Sequence, residues 1–478
     1  MDEIQRLIAE IEAYCQLSGL AETTFGRRAV NDGKFVGRLR DGKGVTVKTI
    51  ARLRVFMHEN PAPCAPVDGF EAGAPRPAPV ADAAPRAHDS EATPPVEAAP
   101  GQGAGGERPF RFYDNRQKYL MFVNTCNEKA VVAERAGMEL AHVHPRPPAL
   151  RVFDAGMGDG TVLTRLMRDM HRRFPTVPFF IVGKEISIED IRLSLEKMPD
   201  RFAEHPGTVL VITNLYYTEA PRLMPGNVNA AAALNWHEVP LAGSSSHQYD
   251  EQIKALGPIL EEGWQVKASP RTGNPLYVRP SVLVIYREDH KFLLDPVIPR
   301  PGHTQGLYDL IIASQPYRAR MSVDFKVGRV LAPLARGLGP GGRMLTIQSY
   351  GRDPGLEVIQ RVWPGEEPFQ SDRHTLLKAL KSELGRTERD LSFKTLSDKR
   401  SLFRYQMHTL PTEIGHSIGT STLFAAWNAA VYVAQIEDER LADAVTDGSY
   451  LAATREVLQK HGGLWFHDES FVVTRRRG

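Results

Sequence analysis

The chain has 478 residues, room for roughly two or three domains with at least one sizeable core, and its 42% hydrophobic and 24% charged residues are those of a globular protein. A net charge of +2 excludes a molecule built as a whole around a polyanion, so any nucleic-acid contact has to be local. Three scattered cysteines (Cys15, Cys64, Cys126) exclude a disulfide framework or a thiolate metal site, and no stretch reaches the roughly 20 apolar residues of a membrane span. The acidic, amphipathic start does not have the pattern of a signal peptide, so the expected location is cytoplasmic, with no membrane partner.

In chain order, Ile4, Leu7, Ile8, Ile11 and Cys15 recur at helical spacing and Gly19 ends that helix. A second helix is expected over residues 22–30, an Asn31-Asp-Gly33 turn, and a third helix over 34–40. Thr46 can N-cap a fourth, with Val47, Ile50, Leu53 and Phe56 or Met57 as its apolar stripe. Ala29, Gly33 and Leu39 have the spacing of a helix-turn-helix: a small residue where helices touch, a glycine for the turn, an apolar residue seating the second helix. Arg27, Arg28, Lys34, Arg38 and Arg40, joined by Lys43, Lys48, Arg52 and Arg54 against only Asp32 and Asp41, form a basic face suited to DNA contact over residues 22–54. Residues 1–60 thus resemble the small repressor-like helix-turn-helix domains of bacterial regulators. The plainer alternative is a helical interaction domain with solvated charges.

Between residues 61 and 106 half the residues are Pro or Ala, with almost no large apolar side chains, and such a segment cannot bury enough surface to fold. Residues 61–108 are therefore expected to be a disordered, extended tether between an N-terminal domain and a main domain over 109–478.

The main domain begins with an expected helix over 109–140, in which Tyr119, Phe122, Val123 and Cys126 are spaced to pack. The proline-rich turn at 145–148 has His142 and His144 nearby, which read as solvated imidazoles because no further ligands follow; no metal is expected. An apolar strand at 151–155 runs into Gly156, Gly158 and Gly160 and then a helix over 161–174, the order in which α/β folds bring backbone N–H groups to a nucleotide-like ligand. A second strand, 177–183, is followed by Glu185, whose carboxylate suits a ribose diol, and by Ser187 as N-cap of a helix over 188–198. A third strand, 208–213, ends at Asn214, and a fourth, 307–313, ends at Ser314-Gln-Pro-Tyr317. A long helix over 321–338 and the turn Gly339-Pro-Gly-Gly342 lead to a fifth strand at 343–348.

Between strands three and four lies an insert, residues 215–306, with an expected helix (250–262) and a hairpin of 278–287 with 291–296. Its place at the carboxyl edge of the sheet suits a substrate lid or pocket wall, with Trp236 and His237 as candidate contacts. Beyond strand five come a helix (373–384), a strand (402–410), a loop (415–421), helices over 422–436 and 448–461, and a hairpin of 464–466 with 470–474.

Asp154-Ala-Gly-Met-Gly-Asp-Gly160, Val182-Gly-Lys-Glu-Ile-Ser187, Tyr308-Asp-Leu-Ile-Ile-Ala-Ser314 and residues 334–342 resemble, in order and each at a strand end, the motifs of class I S-adenosylmethionine-dependent methyltransferases. The resemblance implies a Rossmann-like doubly wound α/β sheet and S-adenosylmethionine as cofactor. Asp154 and the Gly156–Gly160 loop would meet its methionine part, Glu185 its ribose and Asn214 its adenine, with Ser314 and Gln315 facing both cofactor and substrate. A hydride-transferring Rossmann enzyme would instead show G-x-G-x-x-G.

Ser314-Gln-Pro-Tyr317 also resembles the motif with which nucleic-acid amino-methyltransferases hold an exocyclic amine and stack a flipped base. Three functions stay open: a methyltransferase for a small-molecule or protein acceptor, an adenine/cytosine methyltransferase, or a DNA-binding regulator that senses the cofactor. Ser314, Tyr317 and His237 are the candidate catalytic side chains, and His303 and His416 are further candidate bases. The acceptor and the oligomeric state are not encoded in these motifs.

Overall fold

The structure is a computed structural model. It describes residues 116–268, 275–304, 306–409, 411–415 and 417–477, and near the N-terminus 7–8, 10–12, 14–15, 21–30, 32, 34–41, 49, 53 and 56–57. Two compact units divide the chain at 102/103. The proposed tether at 61–108 and the Thr46 cap fall outside the described residues.

In the first unit, helices Glu22–Val30 and Phe35–Arg40 pack through Phe25, Ala29, Phe35, Val36 and Leu39 onto Leu7, Ile11 and Leu53. The chain turns back so closely that Gly26 carries no side chain for a reason: a Cβ there would lie 2.4 Å from the Asp32 carbonyl oxygen.

The second unit is built on a ten-stranded sheet. Its strands are β1 (Leu150–Asp154), β2 (Phe179–Lys184), β3 (Thr208–Thr213), β4 (Asn235–Leu241), β7 (Ser281–Arg287), β8 (Tyr308–Ser314), β9 (Leu338–Ser349), β10 (Leu391–Lys394), β11 (Leu402–Gln406) and β12 (Trp465–Arg475). A separate two-stranded ribbon pairs β5 (Val266–Ala268) with β6 (Pro275–Tyr277). The order is β10-β12-β9-β8-β1-β2-β3-β7-β4, with β11 beside β12. Five central strands, β3-β2-β1-β8-β9, run parallel, and β12 lies antiparallel against β9. That order, with the antiparallel last strand slotted in beside β9, is the Rossmann-like sheet typical of class I methyltransferases. Alternate residues serve opposite cores: Val152 and Ile181 belong to one, Phe153 and Val182 to the other. Both faces are covered, which is why these strands are continuous apolar runs rather than alternating ones.

The structure corrects several expectations. Residues 109–115 lie outside the described residues, and the rest of the expected 109–140 helix is two helices, Arg116–Thr125 and Glu128–Glu139, because Cys126 leaves the helix to bridge Met407. Residues 465–475 form one strand, β12, rather than a hairpin, since β9, β10 and β11 all pair along its length. Within 215–306, β7 and β4 extend the sheet beyond β3, β7 antiparallel to it, and the expected 291–296 strand is the short helix Lys291–Leu294. Part of the insert is therefore sheet edge, while Tyr217 from its start reaches the wall of the cavity at the carboxyl ends of the strands. The 321–338 helix contains a π-helical stretch, Lys326–Leu331, which buries the Lys326 side chain.

Candidate active site

At the carboxyl ends of β1, β2 and β8 the chain encloses a cavity of about 330 Å³. Gly156 and Gly158 line it after β1, Lys184 to Ser187 after β2, and Ser314 to Arg318 after β8. The three motifs, separated by up to some 160 residues in sequence, thus share one hollow.

The loop after β1 is held from two sides. Glu185 accepts the Gly158 N–H at 2.7 Å through one carboxylate oxygen and those of Ile186 (2.6 Å) and Ser187 (2.9 Å) through the other. Trp264, from the insert, donates its indole N–H to the Glu185 carbonyl at 2.9 Å. On the opposite side Tyr119 places its hydroxyl 3.4 Å from the Asp159 carboxylate. Glu185 is therefore a fixed, largely buried carboxylate facing the glycine loop.

Asp154 lies behind this wall rather than in it, 2% exposed, taking the Gly156 N–H at 3.3 Å. Burial, with Glu185 adding to it, raises its pKa to about 7. Because the folded-state value lies above that of the unfolded chain, its contribution to stability is full in acid and is lost as pH rises through about 7. Chemical unfolding measured between pH 4 and 8 should show this decline. In Asp154→Asn it should be markedly flatter; an unchanged slope would assign the decline to other groups.

Asn214 is not brought to the cavity. Its amide donates to the carbonyls of Gly263 (2.9 Å) and Arg279 (3.0 Å) and its oxygen accepts the Ser281 N–H (2.8 Å), so its full set of donors ties the end of β3 to the insert. Gly160 is also outside the lining; with φ of 74° it caps the helix Thr161–Arg173 and packs on Ser194. His237 lies on the edge strand β4, two strands beyond β3, and His303 lines a different cavity. His416 falls outside the described residues. Neither of the two described histidines, His237 and His303, lines the cavity.

Ser314, Gln315 and Tyr317 do line it. Gln315 has φ of 48°, a left-handed backbone that its amide helps to hold by donating to Ser349 Oγ at 3.1 Å and to Asp468 at 3.4 Å. Burial pushes Asp468 well above the carboxylate range, with Glu128 and Asp353 adding to it. The Tyr317 hydroxyl donates to Gln348 Oε1 at 2.9 Å, and the Lys326 ammonium sits 5.1 Å from its ring centre. Tyr217 donates to the Pro316 carbonyl at 3.0 Å, so that oxygen already has a donor.

The remaining wall was not singled out as a site in the sequence. Phe122 and Tyr432 pack with ring centres 4.8 Å apart and planes tilted by 32°, Tyr405 meets Phe122 edge-on, and Glu128 with Lys129 stands at the start of the second helix. Glu128 is 4% exposed, and its Oε2 lies 3.3 Å from Lys129 Nζ without a hydrogen bond. Lys184, 7% exposed, lies 4.8 Å from the Tyr217 ring, and burial lowers its pKa to about 8. The spacing of Tyr119 and Phe122 marked a packed helical face; what it packed against was not readable.

In the first unit, Arg27, Lys34, Arg38 and Arg40 are exposed. Two of them already have acidic partners: Arg40 pairs with Glu22 and Glu12, and Arg38 with Asp32. Nothing is described of the Arg28 side chain.

No protein-family model matches the chain, and no curated protein matches it. Among solved structures it is similar to the cyclase SpnF (12% identity, 78% of this chain and 89% of that one, TM-score 0.28). It is also similar to a putative sarcosine dimethylglycine methyltransferase from Galdieria sulphuraria (10%, 73% and 86%, TM-score 0.30). A third is geranyl diphosphate methyltransferase in complex with GPP and sinefungin (13%, 72% and 78%, TM-score 0.26). At these scores the likenesses add no argument about function, and none supports a helix-turn-helix in the first unit. Among the described residues no helix is long and apolar enough to cross a membrane.

Proposed function

We propose that the chain is an S-adenosylmethionine-dependent methyltransferase acting on a small-molecule or protein acceptor. The observation that carries this is the meeting, in one cavity, of the Gly156–Gly158 loop, the buried Glu185 carboxylate and the Ser314–Tyr317 turn. Bound S-adenosylmethionine supplies a methyl group activated on a sulfonium, so the protein needs to position and desolvate rather than to activate. Here the glycines keep side chains out of the cavity so that a ligand can come close to the loop, whose Gly156 and Gly158 N–H groups are held by Asp154 and Glu185, and Glu185 has three of its lone pairs engaged and retains capacity for a ribose hydroxyl. Lys129 and Lys184 offer cations for the carboxylate of the methionine part. Phe122, Tyr405 and Tyr432 form an apolar wall that keeps water from the reacting atoms.

A nucleic-acid acceptor has less support. A stacking platform at Tyr317 needs an open ring face, and Lys326 covers part of it. The pairing of Arg38 and Arg40 likewise weakens the case for DNA contact by the first unit, leaving Arg27 and Lys34 as exposed cations among the described residues. A regulator that only senses the cofactor would need the same binding without turnover.

Calorimetric titration of the full chain with S-adenosylmethionine tests the central reading. Wild type should bind saturably, and Glu185→Ala should weaken binding by about tenfold or more, the scale of hydrogen bonds to a charged group. Absence of binding to wild type, or equal affinity of the variant, refutes it.

A further inference from the structure

A second cavity, of about 600 Å³, lies at the amino edge of the parallel strands, at the other end of the sheet from the glycine loop. Arg146 and Arg151 wall it from the start of β1, and the segment Asp295–Leu307, which leads directly into β8, walls it from the other side. Three arginines, Arg146, Arg151 and Arg300, line it together with His303, against Asp295 as the one acidic lining residue among the described residues.

The counter-charges do not exhaust these cations. Asp309, behind the wall, spends one carboxylate oxygen on the Arg151 backbone N–H at 2.9 Å. Its other oxygen is 3.8 Å from Arg146 Nε, too far for a hydrogen bond. Arg146 Nε and Thr304 Oγ1 are both shielded from solvent, and neither has a hydrogen-bond partner among the described residues. Arg300 pairs with Asp295 at 3.1 Å, but both side chains are about two-thirds exposed, a pair that contributes little and exchanges readily. Prolines stiffen the walls (Pro147, Pro296, Pro299), and Phe180, Val297 and Ile298 give one side an apolar surface.

We propose that this cavity binds the phosphoryl group of a phosphomonoester. One arginine fork saturates a carboxylate, whereas three arginines with a hydroxyl donor match an anion that presents three oxygens and up to two charges. The cavity is larger than the anion alone requires, and the Phe180 side receives the organic part of the ester. The site is separate from the cofactor cavity and does not depend on the methyltransferase assignment.

The test is calorimetry on the full chain with inorganic phosphate, phenyl phosphate and acetate, each at ionic strength matched with sodium chloride. Both phosphates should bind saturably, phenyl phosphate the tighter, and acetate should not. Arg300→Glu, a reversal at an exposed position that leaves the core untouched, should weaken phosphate about tenfold or more while S-adenosylmethionine titrates as in wild type. Where thermal unfolding shows Arg146→Gln to be folded, it should weaken phosphate likewise. Phosphate heats no larger than those of chloride, acetate binding equal to phosphate, or an unaltered affinity in Arg300→Glu would each overturn the proposal.

Discussion

Replacing Arg373 by Met should destabilise the second unit by about 3–5 kcal/mol, because it removes the cation from a buried carboxylate rather than removing a pair. Arg373 and Glu469 are 3% and 1% exposed, and the guanidinium donates to Glu469 at 3.1 Å. Glu469 also accepts the Arg373 backbone N–H at 2.8 Å and the Gln348 amide at 2.7 Å, and Gln348 in turn receives the Tyr317 hydroxyl. These hydrogen bonds run from the helix Arg373–Leu384 to the cavity wall, so the same substitution should loosen Tyr317.

The sign of its pH dependence identifies the cause. Without Arg373 the buried carboxylate of Glu469 takes up a proton on folding, so the variant should be closest to wild type in acid and fall further behind as pH rises. Arg373→Met/Glu469→Gln, measured by denaturant unfolding in a double-mutant cycle, should recover a large part of the loss. Equal losses at pH 5 and pH 8, with no recovery in the double variant, would mean that packing rather than charge is at stake.

What the sequence revealed was mainly local. The strands β1, β2, β3 and β8 were legible as apolar runs because each is covered on both faces, and residues leaving the carboxyl ends of β1, β2 and β8 line one cavity, whereas Asn214 after β3 does not. The helices Glu22–Val30 and Arg373–Leu384 were legible to the residue from periodicity and from turn and capping signals. What failed was pairing at a distance. Nothing within 278–296 reveals that β7 runs antiparallel beside β3, where a hairpin would satisfy the same local pattern. The last strand was divided at Asp468 and Glu469 because two acids interrupt an apolar run; in the fold both are buried, one beside Gln315 and the other on Arg373.

The site shows the same division. Glu185 and Ser314–Tyr317 were visible because they follow strands directly. The aromatic wall was not, since Phe122, Tyr405 and Tyr432 lie far apart in sequence and each has an ordinary helical or strand setting. The family resemblance placed Asn214, at the end of a strand, near the adenine. Its amide is instead consumed by three backbone partners, and only the position of the insert reveals that.

The glycine loop itself separates into two kinds of glycine, and substitution should tell them apart. At Gly160 a Cβ would lie 2.4 Å from Ser194 Oγ, 2.8 Å from its Cβ and 2.9 Å from its Cα, on a backbone with φ of 74°. Gly160→Ala therefore meets both left-handed strain and overpacking against a side chain that is itself fully buried, and should cost about 2–4 kcal/mol of stability. Adding Ser194→Gly removes two of the three close atoms but leaves the crowding against the residue-194 backbone and the φ strain, so rescue should be partial. At Gly156 the nearest atom to a Cβ is the Ser314 carbonyl oxygen at 3.8 Å, an ordinary van der Waals separation, and φ is not left-handed. Gly156→Ala should thus unfold within about 1 kcal/mol of wild type. Its methyl group nevertheless enters the cavity wall, so its effect should fall on S-adenosylmethionine affinity. Thermal unfolding and calorimetry on the two variants read these axes separately. A Gly156→Ala protein that binds the cofactor as tightly as wild type would remove the loop from the binding site, whereas a stable Gly160→Ala would mean that the Ser194 helix yields without cost.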